Sequence, residues 1–190
     1  MAVSGNNLYV SNTGGFSAQF DSTVSVIDLS SLTETSKITV GINPGSIAAD
    51  NSGNIYVACT GDYNTVAPKM VKVSTSSNTV TASADTAAGL VRYYNDNLYV
   101  IGGYLGLPFV RELITTDFSA VKTNFISDGT TVTTPYSLDI DNATGDVYVS
   151  DAKDYSSPGE VFCFDKTGTK KFSFSTSPTA SPIGVQLIKH

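Results

Sequence analysis

The chain has 190 residues, of which 41% are hydrophobic and 15% charged, and a formal net charge of −6. This apolar content is enough for the core of one domain. The acidic residues are scattered and no basic patch is present, which argues against a nucleic-acid partner. No apolar run approaches the length of a membrane-spanning helix, and no stretch has the periodicity of a long amphipathic helix. The composition therefore predicts short strands joined by turns.

A motif of an aliphatic residue, tyrosine and valine recurs four times along the chain. Its tyrosines are Tyr9, Tyr56, Tyr99 and Tyr148, which lie 47, 43 and 49 residues apart. A repeat of this period, built from strands alone, is typical of propeller blades. One blade cannot bury both faces of its small sheet, so it must stack on its neighbours. We therefore predict an all-β propeller of about four blades, each with four antiparallel strands.

The repeats divide a single domain or propeller segment covering residues 1–190. Their approximate limits are 1–45, 46–88, 89–133 and 134–180. The first repeat begins at a match to the second strand of the others and lacks an inner strand. Residues 181–188 match the inner strands, so we expect residues 181–190 to complete the first blade, which would remove an exposed sheet edge. A closed four-bladed ring, a larger ring built from two chains, and a truncated part of a seven- or eight-bladed ring all fit this pattern.

Two local features complete the strand prediction. Residues 121–126 are predicted as the outer strand of the third repeat. In the fourth repeat, Asp139, Asp141 and Asp146 surround the turn 142–145 and resemble an oxygen-rich calcium loop. The twelve-residue spacing and the closing glutamate of such a loop are missing, so we predict an Asx-type hairpin turn and no metal. Cys59 and Cys163 lie in non-adjacent repeats and are predicted to be buried free thiols.

Three stretches near the start resemble the YVTN-type repeats of surface-layer propellers, namely residues 9–12 (YVSN), 21–28 (DSTVSVID) and 40–44 (VGINP). Residues 136–165 are similar to the YncE-like surface propellers of Bacteroidetes, a family that includes cobalamin-capturing outer-membrane lipoproteins. The resemblance spans essentially the whole chain. It implies an exported protein at the cell surface or in the periplasm.

The chain departs from that family in two respects. The family's rings commonly have seven blades and its members carry an export signal and a lipid-anchoring cysteine, whereas four repeats and neither signal are present here. We therefore expect the chain to be a carboxy-terminal portion of a longer protein.

The long loops of the chain lie between the second and third strands of each repeat, at residues 11–23, 58–68, 102–108 and 150–159. In a propeller these loops share one face of the disc with the connections between blades. We call it the loop face, and we expect binding there because loops on a rigid scaffold carry function. Packing within the loops themselves is the alternative. The candidate ligand-binding residues are Phe16, Phe20, Asp21, Asp62, Tyr63, Tyr104, Tyr136, Asp151, Asp154 and Tyr155.

Catalysis finds little support in the sequence. The one histidine is His190, the last residue, so no Ser-His-Asp arrangement is available, and no zinc or phosphate-binding motif is present. Asp151 and Asp154 could act as an acid–base pair, but they are better explained as loop anchors. We predict no catalytic residues, no metal and no cofactor.

The predicted function is non-enzymatic binding. By resemblance, a cobalamin-like small molecule is the first ligand candidate. The alternative is a structural or adhesive surface module that binds protein or glycan, and a hydrolase or lyase is the third hypothesis. A homodimer that completes a larger ring is the further partner considered.

Overall fold

The computed structural model of the chain describes residues 1–15, 19–102, 108–177, 182 and 184–188. Sixteen strands form four sheets of four antiparallel strands, and these residues contain no helix. This confirms the predicted all-β class and the four units. In the part of the chain that is described, no helix is long and apolar enough to cross a membrane.

Each sheet takes four consecutive strands, paired in chain order. The first sheet contains β1 (Ala2–Ser4), β2 (Asn7–Asn12), β3 (Thr23–Asp28) and β4 (Thr33–Thr39). The second contains β5 (Pro44–Ala49), β6 (Asn54–Cys59), β7 (Lys69–Ser74) and β8 (Thr79–Ala84). The third contains β9 (Leu90–Tyr94), β10 (Asn97–Gly102), β11 (Phe109–Ile114) and β12 (Ala120–Lys122). The fourth contains β13 (Pro135–Ile140), β14 (Val147–Asp151), β15 (Glu160–Phe164) and β16 (Lys170–Ser175).

Each sheet has at least one short turn that is fixed by an aspartate side chain. In the turn between β13 and β14, Asp141 Oδ1 accepts a hydrogen bond from the Ala143 amide at 2.8 Å. The Gly145 amide donates to the Asp141 carbonyl at 2.7 Å, and Gly145 has a φ of 77°, which glycine adopts without steric cost. The segment that resembles a calcium loop is thus an Asx-type turn, as predicted.

The core lies between neighbouring sheets and is built around the repeated tyrosines. The Tyr9 hydroxyl donates to Asn78 Oδ1 of the second sheet at 3.1 Å. The Tyr56 ring lies parallel to that of Tyr93 in the third sheet, with centroids 6.3 Å apart. Burial raises the pKa of Tyr56 well above its ordinary value, and the same holds for Tyr99. Burying each such side chain stabilises the stack by about 2 kcal/mol.

The first sheet has its own inner strand, which corrects the sequence-based expectation. β1 pairs with β2 through Ala2 and Tyr9, so the first blade does not need residues 181–190. The described residues 184–188 contact the fourth sheet instead. The Val185 amide donates to Ser137 Oγ at 3.0 Å, and the Leu187 amide donates to Asp139 Oδ2 at 2.8 Å. Polar side chains on β13 therefore hold this segment.

The position of residues 184–188 explains why they resemble an inner strand. The Val91 amide of β9 donates to Ser46 Oγ of β5 at 3.2 Å, the same contact that Val185 makes with Ser137. The segment therefore lies where the inner strand of a blade following the fourth sheet would lie.

Both cysteines are free and buried, as predicted. Burial raises the pKa of the Cys59 thiol to about 11, and burial also raises the pKa of Cys163. Neither thiol is ionised near neutral pH, which fits a packing role.

Candidate functional site

Backbone hydrogen bonds join the long loops to the connections between sheets at one edge of the stack. The Asn43 amide, between β4 and β5, donates to the Asp21 carbonyl of the β2–β3 loop at 2.8 Å. The Thr60 amide of the β6–β7 loop donates to the Asn43 carbonyl at 3.1 Å. These bonds join the β2–β3 loop, the connection between the first two sheets and the β6–β7 loop at the same edge. Two of the predicted loop-face residues, Phe16 and Tyr104, lie outside the described part of the chain.

An aromatic pair joins the loops of the first and second sheets. Phe20 and Tyr63 meet edge to face, with ring centroids 5.8 Å apart and an interplanar angle of 80°. Tyr63 is 41% exposed and has a φ of 60°. Thr60 Oγ1 donates to the Tyr63 hydroxyl oxygen at 3.1 Å, which fixes the ring further.

A second aromatic pair of the same geometry lies on the fourth sheet. Tyr136 and Tyr155 meet at 6.0 Å and 82°. Tyr155 is 61% exposed and has a φ of 62°. Tyr155 corresponds to Tyr63 in the strand register. Pro135 pairs with Asp151 and Pro44 pairs with Cys59, and each tyrosine is the fourth residue after that partner. The two tyrosines thus lie on equivalent loops of the second and fourth sheets, whereas their partners differ, because Phe20 belongs to the β2–β3 loop and Tyr136 to β13.

The left-handed backbone of these two tyrosines is energetically unfavourable. Bulky residues rarely adopt a φ near +60°, and the cost is about 1–2 kcal/mol per residue. The surrounding loop must therefore hold each tyrosine in place, and residues under such constraint concentrate at functional sites.

The aspartate before each tyrosine supplies that constraint. Asp62 Oδ1 accepts hydrogen bonds from the amides of Asn64, Thr65 and Val66 at 2.7–2.9 Å. Asp154 Oδ1 accepts from the amides of Ser156 and Ser157 at 2.9 and 2.6 Å. These backbone donors lower the pKa of both carboxyl groups to about 2. Both carboxylates are loop anchors, which is the alternative that the sequence left open.

Asp21 has the same anchoring role in the first loop. Its Oδ1 accepts from the Thr23 hydroxyl at 2.7 Å and from the amides of Ser22 and Thr23 at 2.6 and 2.8 Å. The Thr23 hydroxyl is the main cause of the lowered pKa of Asp21.

Asp151 is buried beneath the second aromatic pair and is 1% exposed. Its carboxylate accepts hydrogen bonds from three amides: Thr133 at 2.9 Å, Thr134 at 2.7 Å and Lys153 at 2.9 Å. It therefore ties the connection before β13 to the loop after β14. A carboxylate that is buried and used in this way supports the site without facing a ligand.

A cavity of about 640 Å³ opens on the loop face between the third and fourth sheets. Among the described residues its lining carries no ionisable side chain other than the tyrosines. Sequence reasoning identified only the two tyrosines, because the remaining lining residues are small or apolar and carry no pattern that separates them from core. The lining residues are Gly89, Leu90, Ile101, Gly102, Pro108, Thr133, Thr134, Pro135, Tyr136 and Tyr155.

The acidic and thiol side chains of the described residues do not form a metal site. Among them, no three or more His, Cys, Asp or Glu side chains are placed to hold a metal ion. Asp151 accepts from amides of its own loop and of the connection before β13, and Asp154 accepts from amides of its own loop. What the site offers is aromatic surface, hydroxyl groups and an apolar cavity.

No protein-family model matches the chain, and no curated protein sequence matches it. Its structure is similar to several solved structures. The hydrazine synthase of Kuenenia stuttgartiensis matches with a TM-score of 0.74 and 14% identity, over 92% of this chain and 48% of that one. BamB from Moraxella catarrhalis matches with a TM-score of 0.58 and 13% identity, over 90% of this chain and 47% of that one.

The β-propeller domain of Cps50 (Swd1) from Myceliophteria thermophila also matches, with a TM-score of 0.67 and 12% identity. This match covers 97% of the chain and 60% of that domain. The chain thus spans about half the length of the solved structures that it matches. Identities this low show the fold alone, so the narrower resemblance to YncE-like propellers stays a prediction. Taken with the four stacked sheets, the matches show that the chain has the β-propeller fold and that each sheet is one blade.

Proposed function

We propose that the chain is a non-enzymatic binding module whose ligand lies on the loop face, centred on the cavity between the third and fourth blades. The observation that carries the proposal is Tyr155. It lines the cavity, is 61% exposed, and is held at a φ of 62° beside Tyr136. A large apolar pocket with a few polar groups is the default binding site of a fold.

The chemistry of the cavity selects the class of ligand. Its walls are apolar or aromatic, and its polar groups are tyrosine and threonine hydroxyls and backbone. The neighbouring carboxylates of Asp151 and Asp154 are saturated by backbone amides. The ligand is therefore uncharged where it enters the cavity, with a flat or apolar surface and hydrogen-bonding groups at its edge.

Cobalamin is the first ligand to test, on the strength of the sequence resemblance. It is larger than the drug-sized molecules that a cavity of about 640 Å³ encloses, so it would rest across the cavity mouth against the tyrosines. The same resemblance supports an exported protein, at the cell surface or in the periplasm. Fractionation of the native host with an antibody against the chain tests that location.

Calorimetric titration of the folded chain with cobalamin tests the ligand. Tyr155→Ala is expected to weaken binding about tenfold or more, as for an aromatic hot spot. Tyr63→Ala is the matched control, since it removes the equivalent tyrosine two blades away and should leave binding unchanged. No heat of binding with folded protein would contradict the cobalamin proposal, and equal losses in both variants would contradict the position of the site.

The second candidate function is a structural or adhesive surface module that binds protein or glycan. It is favoured by the repetition of an exposed aromatic pair, because Phe20 and Tyr63 also present exposed rings on the loop face. An extended glycan could contact both pairs. A screen against an array of purified glycans tests it: this function predicts equal losses for Tyr63→Ala and Tyr155→Ala.

A further inference from the structure

Each interior interface of the propeller is built from the same two kinds of face. Between the second and third blades, Tyr56 and Met70 of one blade pack on Leu98, Val100 and Leu113 of the next. Ala82 and Ala84, on the outer strand β8, also pack against this cluster. We call the face that carries Tyr56, Met70, Ala82 and Ala84 in the second blade the leading face. The face that carries Leu98, Val100 and Leu113 in the third blade is the receiving face.

Among the described residues, no blade packs against the leading face of the fourth blade. Strand pairing places Phe172 opposite Cys163 and Phe174 opposite Val161, as Ala82 lies opposite Lys72 and Ala84 opposite Met70. Phe172 and Phe174 therefore occupy the positions of Ala82 and Ala84. They are 47% and 54% exposed, although the equivalent alanines pack against the core. Large apolar side chains exposed side by side indicate an interaction surface.

The first blade carries the matching receiving face. Leu8 pairs with Ile27 in the strand register, as Leu98 pairs with Leu113 in the third blade. Leu8, Val10 and Ile27 are only partly buried, whereas Leu98, Val100 and Leu113 are fully buried. Val3 lies on the same side of the first blade and is exposed.

We propose that two copies of this chain associate head to tail, so that the leading face of each fourth blade packs on the receiving face of the other copy's first blade. Two seams of this kind close an eight-bladed ring. The seam continues an arrangement that the chain already uses three times between its own blades. Because the chain spans about half of the structures that it matches, two copies also supply the length of one such structure. Head-to-tail contacts form a closed ring only when the rotation closes, and half-ring copies meet that condition.

The segment 184–188 lies at this seam, next to the position that β1 of the other copy would take. In strand register Val185 corresponds to Ile47, and Ala2 corresponds to Ala48. Residues up to Val185 of one copy and β1 of the other then follow each other along one inner strand. Met1 falls on the same register position as Val185, so Met1 of one copy and residues 186–188 of the other must move aside, which breaks the hydrogen bond from Leu187 to Asp139. This cost makes the association weaker than a seam between covalently linked blades.

Light scattering of the full chain over a range of concentrations tests the proposal. We expect twice the chain mass of 19.9 kDa, with dissociation on dilution. The double variant Phe172→Glu, Phe174→Glu should be a monomer, because two carboxylates would be buried at the seam. Val80→Glu is the matched control, as Val80 is also exposed on an outer strand, and it should stay dimeric. A wild-type monomer at every concentration, or species larger than a dimer, would overturn the proposal.

A mixing experiment separates the head-to-tail ring from a dimer in which the fourth blades face each other. Val3→Glu places a charge on the receiving face and should also give a monomer. When it is mixed with the Phe172→Glu, Phe174→Glu variant, the mixed dimer has one seam with both faces altered and one intact seam. We expect mixed dimers to form while each variant alone stays monomeric. If the mixture stays monomeric, or if either variant alone stays dimeric, the head-to-tail seam is wrong.

Discussion

The loop after β6 and the loop after β14 present the same surface on different supports. Both place an aspartate anchor before a left-handed tyrosine, Asp62 before Tyr63 and Asp154 before Tyr155. Beneath the tyrosine, the last strand residue is Cys59 in the second blade and Asp151 in the fourth. An apolar thiol and a carboxylate thus occupy equivalent buried positions.

The carboxylate support has a consequence that the thiol support lacks. Asp151 draws the amides of Thr133 and Thr134 toward the loop, and both threonines line the cavity. The position of each exposed tyrosine is thus set by the aspartate anchor of its own loop, whereas the cavity beside Tyr155 depends on the contacts that Asp151 makes with the connection before β13.

Replacing the buried residue, Asp151 in the fourth blade or Cys59 in the second, should give the largest difference in the free energy of unfolding between the two loops. Asp151→Ala removes a buried carboxylate and leaves three partly buried amides without that acceptor, so we expect a loss of about 3 kcal/mol in the free energy of unfolding. Cys59→Ala is the matched control and should cost about 1 kcal/mol, since it removes one sulfur from an apolar site. Urea denaturation measures both values. Equal losses would show that the carboxylate is not the support that its hydrogen bonds indicate.

The strand repeat could be predicted from the sequence because alternating apolar residues and the repeated tyrosines are local signals. The inner strand β1 could not, since three residues carry too short a pattern and pair only through contact with β2. The predicted outer strand 121–126 ends at Lys122 in the structure. Phe125 lies beyond the regular strand, although its amide still donates to the Val110 carbonyl of β11 at 2.8 Å, and its ring is buried between the third and fourth blades.

The candidate site was predictable only in part. Tyr136 and Tyr155 could be placed on the loop face because loop length and strand order define that face. Their mutual contact, and the anchoring role of Asp151, depend on how the connection before β13 approaches the loop. The sequence repeat does not predict how this connection approaches the loop.

The second residue after the strand is Gly61 in the loop after β6 and Lys153 in the loop after β14. Exchanging these two residues should give the next largest difference in the free energy of unfolding. Gly61 has a φ of 74°, and a Cβ there would overlap the Val66 carbonyl oxygen. The equivalent Lys153 has a φ of 50° with room for its side chain, which reaches Glu160 at 3.3 Å. We expect Gly61→Lys to destabilise the fold by about 2 kcal/mol, because both the backbone and the space at this position require glycine.

The reciprocal change Lys153→Gly is the control in the same thermal unfolding experiment. It loses a partly exposed ion pair worth less than about 1 kcal/mol and relieves an unfavourable φ. Its net effect should therefore be smaller than that of Gly61→Lys. A larger loss of stability in Lys153→Gly than in Gly61→Lys would mean that the two loops do not have equivalent backbone conformations.

Relief of the strain at the tyrosines should separate binding from stability. Asparagine tolerates a left-handed backbone better than tyrosine. Tyr155→Asn and Tyr63→Asn should each change the free energy of unfolding by about 1 kcal/mol or less, as lost ring contact offsets relieved strain. Under the small-molecule proposal, titration with cobalamin should show weaker binding for Tyr155→Asn alone. A large loss of stability in either variant would show that the ring contributes to the core.

The smallest expected effect is the acid titration of the two anchors, and here the loops should behave alike. Backbone amides lower the pKa of Asp62 and Asp154 to about 2, from an ordinary value of 3.8. The folded state therefore favours the ionised carboxylates, so their contribution is full above pH about 4 and declines as the pH falls toward about 2. Urea midpoints measured across that range should decline less steeply in Asp62→Asn and in Asp154→Asn than in the wild type. The two variants should flatten the curve to the same extent, because the donors to each carboxylate come from its own loop and not from the residue beneath. A flatter curve in only one variant would show that the buried Cys59 or Asp151 alters the anchor above it, and the two layers of the site would then be coupled.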